Sequence, residues 1–279
     1  LALALHLLCP FCAAGMPRKV EVPLPSRDVL APARDILLFQ GDYAIFYYVF
    51  LALYCAACCR TLRDAQPTMK WFHALPMLAL TSFGGGIIVP ITLGKPMVLH
   101  TNEAILPTMI IVWLAVNKAY FVLEFLRTRL GKAVSNTGFE VFRYHVLANC
   151  SDLASKALPV LSNGYLEVAL VGPLLAGLIG GCGGAFMPLS NGLKAIETEV
   201  PWRVQSAAVM SVWHHFLMHD SGVRGVIANK LPFLEDTETV KCLGILFFVG
   251  IPALQAFGIL PKGLMGTNPL VPKPKMKRT

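Results

Sequence analysis

The stretch Ser82–Lys95, SFGGGIIVPITLGK, puts three consecutive glycines and then Pro90 inside an apolar run. An interior glycine costs a helix about 0.5–1 kcal/mol relative to alanine, and an interior proline about 3 kcal/mol. The chain repeats the pattern in Gly181–Lys194, GCGGAFMPLSNGLK. There Gly183, Gly184, Pro188 and Gly192 have the spacing of Gly85, Gly86, Pro90 and Gly94. Two apolar helices are expected to break in the same way.

Composition identifies the solvent around those helices. The 279 residues are 55% hydrophobic and 14% charged, with a mean hydropathy of +0.60; soluble domains carry roughly 25% charged residues. The chain reads as an all-α integral membrane protein. Seven segments have spanning length: 36–59, 72–93, 105–126, 133–157, 165–189, 203–220 and 240–260. The glycine clusters fall on the second and fifth, which are three spans apart and so run in opposite directions. The layout is therefore a leader over 1–35, a three-helix repeat over 36–126 and an inverted copy over 133–220. A seventh helix over 240–260 and a basic tail over 261–279 complete it. Inverted repeats with discontinuous helices near the midplane are a recurrent design of transport proteins.

In hydrocarbon an unpaired backbone group costs several kcal/mol, so irregular backbone survives only inside protein or beside water. Pro90 and Pro188 each remove a donor and free a carbonyl about one turn earlier, at the glycines. Gly84, Gly85, Gly86, Gly181, Gly183 and Gly184 leave that backbone uncovered. Carbonyls and helix-end dipoles can then face a permeating ion. Close helix packing through small residues is the alternative reading.

The fourth span is polar, with Asn136, Glu140, Arg143, His145, Asn149 and Asp152. Charge at bilayer depth is expensive, so this helix is expected to face protein or water. Glu140 and Arg143 are i,i+3 neighbours and can pair. They are read either as a buried ion pair or as part of a polar lining or lipid-headgroup site. His215 and His219 share a helical face in VWHHFLMHD, but the chain has seven scattered histidines and no metal site is expected. No P-loop, GxSxG or HExxH occurs, so no catalytic residues are assigned and the chain is not expected to be an enzyme. Cys55, Cys58 and Cys59 on an apolar helix read as packing.

Residues 1–15 read either as a signal-like apolar stretch or as sequence ahead of a true start at Met16, the second being expected. Lys and Arg are in modest excess on the side of the C-terminus, which is expected to be cytosolic. The net charge of +8 then needs no nucleic acid, because basic loops beside anionic headgroups account for it.

The glycine cluster in FGGG (Phe83–Gly86), its second copy on the fifth span and FEVFR (Phe139–Arg143) resemble the trimeric intracellular cation channels. The animal pattern on the fourth span is Lys-Glu-Val followed two residues later by Arg. Glu140, Val141 and Arg143 match it, while Phe139 stands where the lysine would be. The resemblance implies a homotrimer with one pore per subunit along the second and fifth helices. It also implies a potassium-permeable channel of the endoplasmic reticulum that passes counter-ions during calcium release and uptake. A phosphoinositide headgroup, engaged by the family's Lys and Arg, would have only Arg143 here. The ending KMKRT places Lys277 and Lys275 in a KxKxx retrieval pattern, with a basic tail at a membrane surface as the alternative reading. A secondary transporter for a small solute is the runner-up function.

Overall fold

The computed structural model describes residues 27–158, 169–186, 194–197 and 200–256. The chain divides into two compact units, 1–33 and 34–279, and of the first only residues 27–33 are described. The described residues are helical, with no strand among them.

The helices are α1 (Arg27–Leu38), α2 (Phe46–Ala65), α3 (Trp71–Thr92), α4 (Val98–Thr101), α5 (Ile105–Lys118) and α6 (Tyr120–Arg127). They continue with α7 (Arg129–Ala157), α8 (Val171–Cys182), α9 (Lys194–Glu197), α10 (Trp202–Met218), α11 (Ser221–Lys230) and α12 (Thr237–Ala256). Three apolar runs are long enough to cross a membrane: Ala31–Ala65, Phe72–Thr92 and Thr237–Leu254. The α5–α6 pair makes a fourth if its bend is taken as one span, and Val171–Phe186 is apolar but shorter. Many large apolar side chains face outward, among them Phe72, Ile111, Phe121, Val171, Val209 and Leu246. Such a surface suits lipid.

The polar helix α7 lies at the centre. Its 29 residues give it a length of ~43 Å at 1.5 Å per residue. The Thr128 side chain caps its start by accepting from the Gly131 amide at 3.0 Å. Phe139 and Phe142 pack into a core with α2, α3, α5 and α6. Val141, Tyr144 and Leu147 pack into a second core with α8, α10 and α12. Being covered on several faces is what lets this helix keep Glu140, Arg143 and Ser151 at depth.

Two expected spans are interrupted. The first, 36–59, breaks at Phe39, which adopts φ +59°, and restarts through a 3-10 turn at Gly41–Ile45. The third, 105–126, turns by 93° at Ala119, between α5 and α6. The turn follows Asn117 and Lys118, where the Asn117 amide donates to the Trp113 carbonyl (2.8 Å). Arg60, which the sequence puts at a loop edge, is buried: it donates to Ser135 Oγ (2.8 Å), Asn136 Oδ1 (2.8 Å) and the Leu126 carbonyl. It thereby ties α2 to the α6–α7 corner.

Candidate functional site

The two glycine clusters meet. In α3 the helix is kinked at Phe83 (φ −107°, ψ 15°), immediately before Gly84–Gly86. After Cys182 the backbone of α8 tightens into a 3-10 turn over Gly183–Phe186. A side chain on Gly84 would lie 3.0 Å from the Gly184 nitrogen, and one on Gly183 would lie 2.5 Å from the Gly85 nitrogen. A Cβ on Gly85 would run into the carbonyl oxygens of Ile179 and Gly180, and one on Gly184 into that of Thr81. Backbone therefore rests on backbone at this crossing.

The other expected kink residues separate. Gly86 and Pro90 line a cavity of ≈ 550 Å³ between α2, α3, α4 and α7. Pro90 has no N–H, so the Gly86 carbonyl has lost its intrahelical donor at the cavity wall. Gly181 packs toward Ala207 of α10. Pro188 and Gly192 lie outside the described residues.

A second cavity, of ≈ 20 Å³, lies by Ser82 and Gly180–Gly184, walled by Tyr54, Phe139, Arg143 and Arg203. Three helices order the two cavities along one direction. Tyr47 of α2, Pro90 of α3 and Asn149 of α7 line the large one, while Tyr54, Ser82 and Arg143 of the same helices line the small one. The crossing borders both: Phe83 and Gly86 line the large cavity, and Gly180–Gly184 line the small one. There the Tyr54 hydroxyl donates to the Ser82 carbonyl, next to the kink at Phe83. A volume of ≈ 20 Å³ has room for about one water.

Glu140 and Arg143 point into the protein. An Arg143 guanidinium nitrogen is 2.7 Å from Glu140 Oε2, and the pair's side chains are 10% and 3% exposed. Arg143 also donates to Ser206 Oγ (2.6 Å) and to the Arg203 carbonyl (3.1 Å), with Phe248 packed on its face at 4.2 Å. Phe139 stacks on Tyr54 at 4.9 Å, and its ring carries the Arg203 guanidinium at 4.3 Å. The sequence reading missed Tyr54 and Arg203. The signal for Tyr54 was a phenol in an apolar helix, whose hydroxyl needs a buried partner. Arg203 was visible only as a charge in the first turn of a span.

Interrupted apolar helices meeting glycine to glycine beside a buried ion pair define an all-helical membrane fold with a discontinuous-helix centre. A solved trimeric intracellular cation channel from C. elegans, in the absence of Ca2+, superposes with a TM-score of 0.60 at 18% identity. The match covers 82% of this chain and 97% of that one. The same protein type with bound Ca2+ gives 0.58 at 16% identity, covering 82% and 97%. A structure described as explaining conductance through TRIC cation channels gives 0.53 at 18% identity, covering 83% and 98%. The chain thus has the fold of the trimeric intracellular cation channels, on a strongly diverged sequence. No protein-family model and no curated protein sequence matches it.

Proposed function

We propose that the chain is a potassium-permeable cation channel of the endoplasmic reticulum membrane that works as a homotrimer and carries counter-ions during calcium release and uptake. The observation that carries this reading is the glycine-to-glycine crossing of α3 and α8, with a cavity on each side of α3's kink and the Gly86 carbonyl freed by Pro90 at the wall of the larger one. A permeating cation can exchange hydration for such carbonyls only where protein, not lipid, covers them. In this proposal the ≈ 20 Å³ space beside Tyr54 and the glycines is the narrow point of the pathway, and the conformation is the closed one. The positive charges of Lys95 at the large cavity and Arg143 and Arg203 at the small one add an electrostatic barrier. In this proposal the seven spans form inverted repeats, 36–126 and 133–220, with 240–260 added. Support comes from both breaks falling at the duplicated glycines. The retrieval pattern at Lys275 and Lys277, and its cytosolic placement, lie outside the described residues and belong to the same proposal.

Patch recording on endoplasmic reticulum-derived microsomes from cells expressing the chain tests it. Unitary potassium currents that appear there, and are absent from plasma-membrane vesicles, are the expected result. Solute-coupled flux without unitary steps would instead select the secondary transporter.

A bound phosphoinositide is part of the proposal, with one change in its contacts. Arg203 sits over the ring of Phe139, so a second basic group approaches the position that the family pattern gives to lysine. A basic residue near anionic lipid contributes roughly 1 kcal/mol, and a direct charge-assisted contact to phosphate somewhat more. Phe139→Lys is therefore expected to raise affinity for phosphoinositide vesicles about tenfold, a factor that corresponds to about 1.4 kcal/mol. Equal vesicle binding by the two proteins would remove helix α7 from the headgroup contact.

A further inference from the structure

Away from the glycine crossing, three side chains from two helices converge at the end of α10. Asp152 Oδ1 of α7 is 2.8 Å from His214 Nε2 and 3.0 Å from His219 Nε2. One donor atom from each residue lies within 4.8 Å of the other two. We infer that Asp152, His214 and His219 form a binding site for a first-row transition-metal ion, with Zn2+ as the natural occupant. Such a site would clamp the C-terminal part of α7 to the end of α10.

The donor set selects the ion. Two imidazole nitrogens and one carboxylate oxygen suit zinc and its neighbours, whereas calcium and magnesium require mostly oxygen. With bonds of about 2.0–2.2 Å, tetrahedral ligands stand about 3.3–3.6 Å apart. The carboxylate need retreat by only about half an ångström from each ring to admit the ion. A fourth position is left for water, and it opens outward. The Asp152 and His219 side chains are 25% and 18% exposed, while His214 is fully buried.

The surroundings of the buried ligand make the same case. His214 Nδ1 lies 3.3 Å from the hydroxyl of Tyr144, itself fully buried. A metal-bound imidazole characteristically has its other nitrogen held in this way, which fixes ring and tautomer. With the ion absent, both Nε2 atoms donate to Asp152 and Tyr144 donates to Nδ1. With it present, the His214 proton moves to Nδ1 and is donated to the Tyr144 oxygen. No net change of protons at His214 is needed.

The sequence hid this trio because its carboxylate lies on another helix. His215 and His219 stay neighbours, with ring centroids 5.8 Å apart, but it is His214 that shares Asp152 of α7 with His219. Asp152 lies between Cys150 and Leu153, both of which line the ≈ 550 Å³ cavity. Occupancy therefore fixes a segment of the cavity wall, whatever the cavity conducts.

The purified full-length protein, stripped with chelator, is titrated with Zn2+, Co2+ and Ca2+ while its melting is followed. Zn2+ is expected to raise Tm with a Kd in the micromolar range or tighter, at one ion per chain. Co2+ should give the intense visible d–d bands of a tetrahedral nitrogen–oxygen site, and Ca2+ should do neither. Asp152→Asn and His219→Ala are expected to weaken Zn2+ binding at least tenfold, and His215→Ala to leave it unchanged. Should Asp152→Asn not fold, His219→Ala, at a side chain 18% exposed, carries the test by itself. No Zn2+ response in the wild type, or an equal response in His219→Ala, would overturn the site.

Discussion

Arg143→Ala is expected to lower the melting temperature far more than truncation of an exposed apolar residue such as Leu246. Arg143 holds Glu140 at 2.7 Å with both groups buried, and it also supplies donors to Ser206 and the Arg203 carbonyl. Removing one partner of a buried ion pair typically costs 3–5 kcal/mol, because the other charge is left without compensation. Here the orphan is Glu140, 8% exposed. Arg143→Lys should recover part of the loss: a single ammonium can meet Glu140 but cannot reproduce the fork that reaches Ser206 and Arg203 together. Combining Glu140→Gln with Arg143→Met removes both charges, and this double variant should be more stable than Arg143→Ala. Thermal unfolding of the wild type, the Leu246 truncation and the three Arg143 variants in one detergent decides it. Equal melting of wild type and Arg143→Ala would mean that the pair contributes nothing to the fold.

These residues show where sequence reasoning was strong and where it failed. The breaks in α3 and α8 were legible because glycine and proline carry fixed backbone costs that an apolar helix does not bear without reason. That α7 is buried was legible from its charges, since lipid would not tolerate them. The purpose of the glycines was not legible: spacing shows where a helix weakens, but only coordinates reveal that Gly84 and Gly85 rest on Gly183 and Gly184. The break at Phe39 escaped notice because an aromatic residue at positive φ contradicts its own propensity, and only tertiary packing sustains it. The corner at Ala119 escaped for a related reason: alanine favours helix, and the turn is imposed by neighbours. Partners distant in sequence, such as Tyr54 with Ser82 or Asp152 with His214, leave no periodic trace.

Gly85→Ala is the sharper test of the crossing. A methyl there would lie 2.5 Å from the Gly180 carbonyl oxygen and run into that of Ile179 as well. Both obstacles are backbone, so no rotamer change relieves them and α3 must move away from α8. Overpacking of this kind typically costs 1–3 kcal/mol, set against a helix-propensity gain of about 1 kcal/mol from losing the glycine. A net loss is expected, together with loss of unitary current, because α3 and α8 would no longer meet at the glycines. Gly86→Ala meets only the Val98 side chain, which can rotate, and should be milder. Gly250→Ala in α12 meets nothing within 4 Å, so the propensity gain should make it neutral or stabilising. The order of melting temperatures, Gly250→Ala above Gly86→Ala above Gly85→Ala, separates contact from propensity, since all three exchange the same atoms within a helix. If Gly85→Ala instead melted with Gly250→Ala and kept its current, the two helices would not touch through their glycines, and the passage between the cavities would have to lie elsewhere.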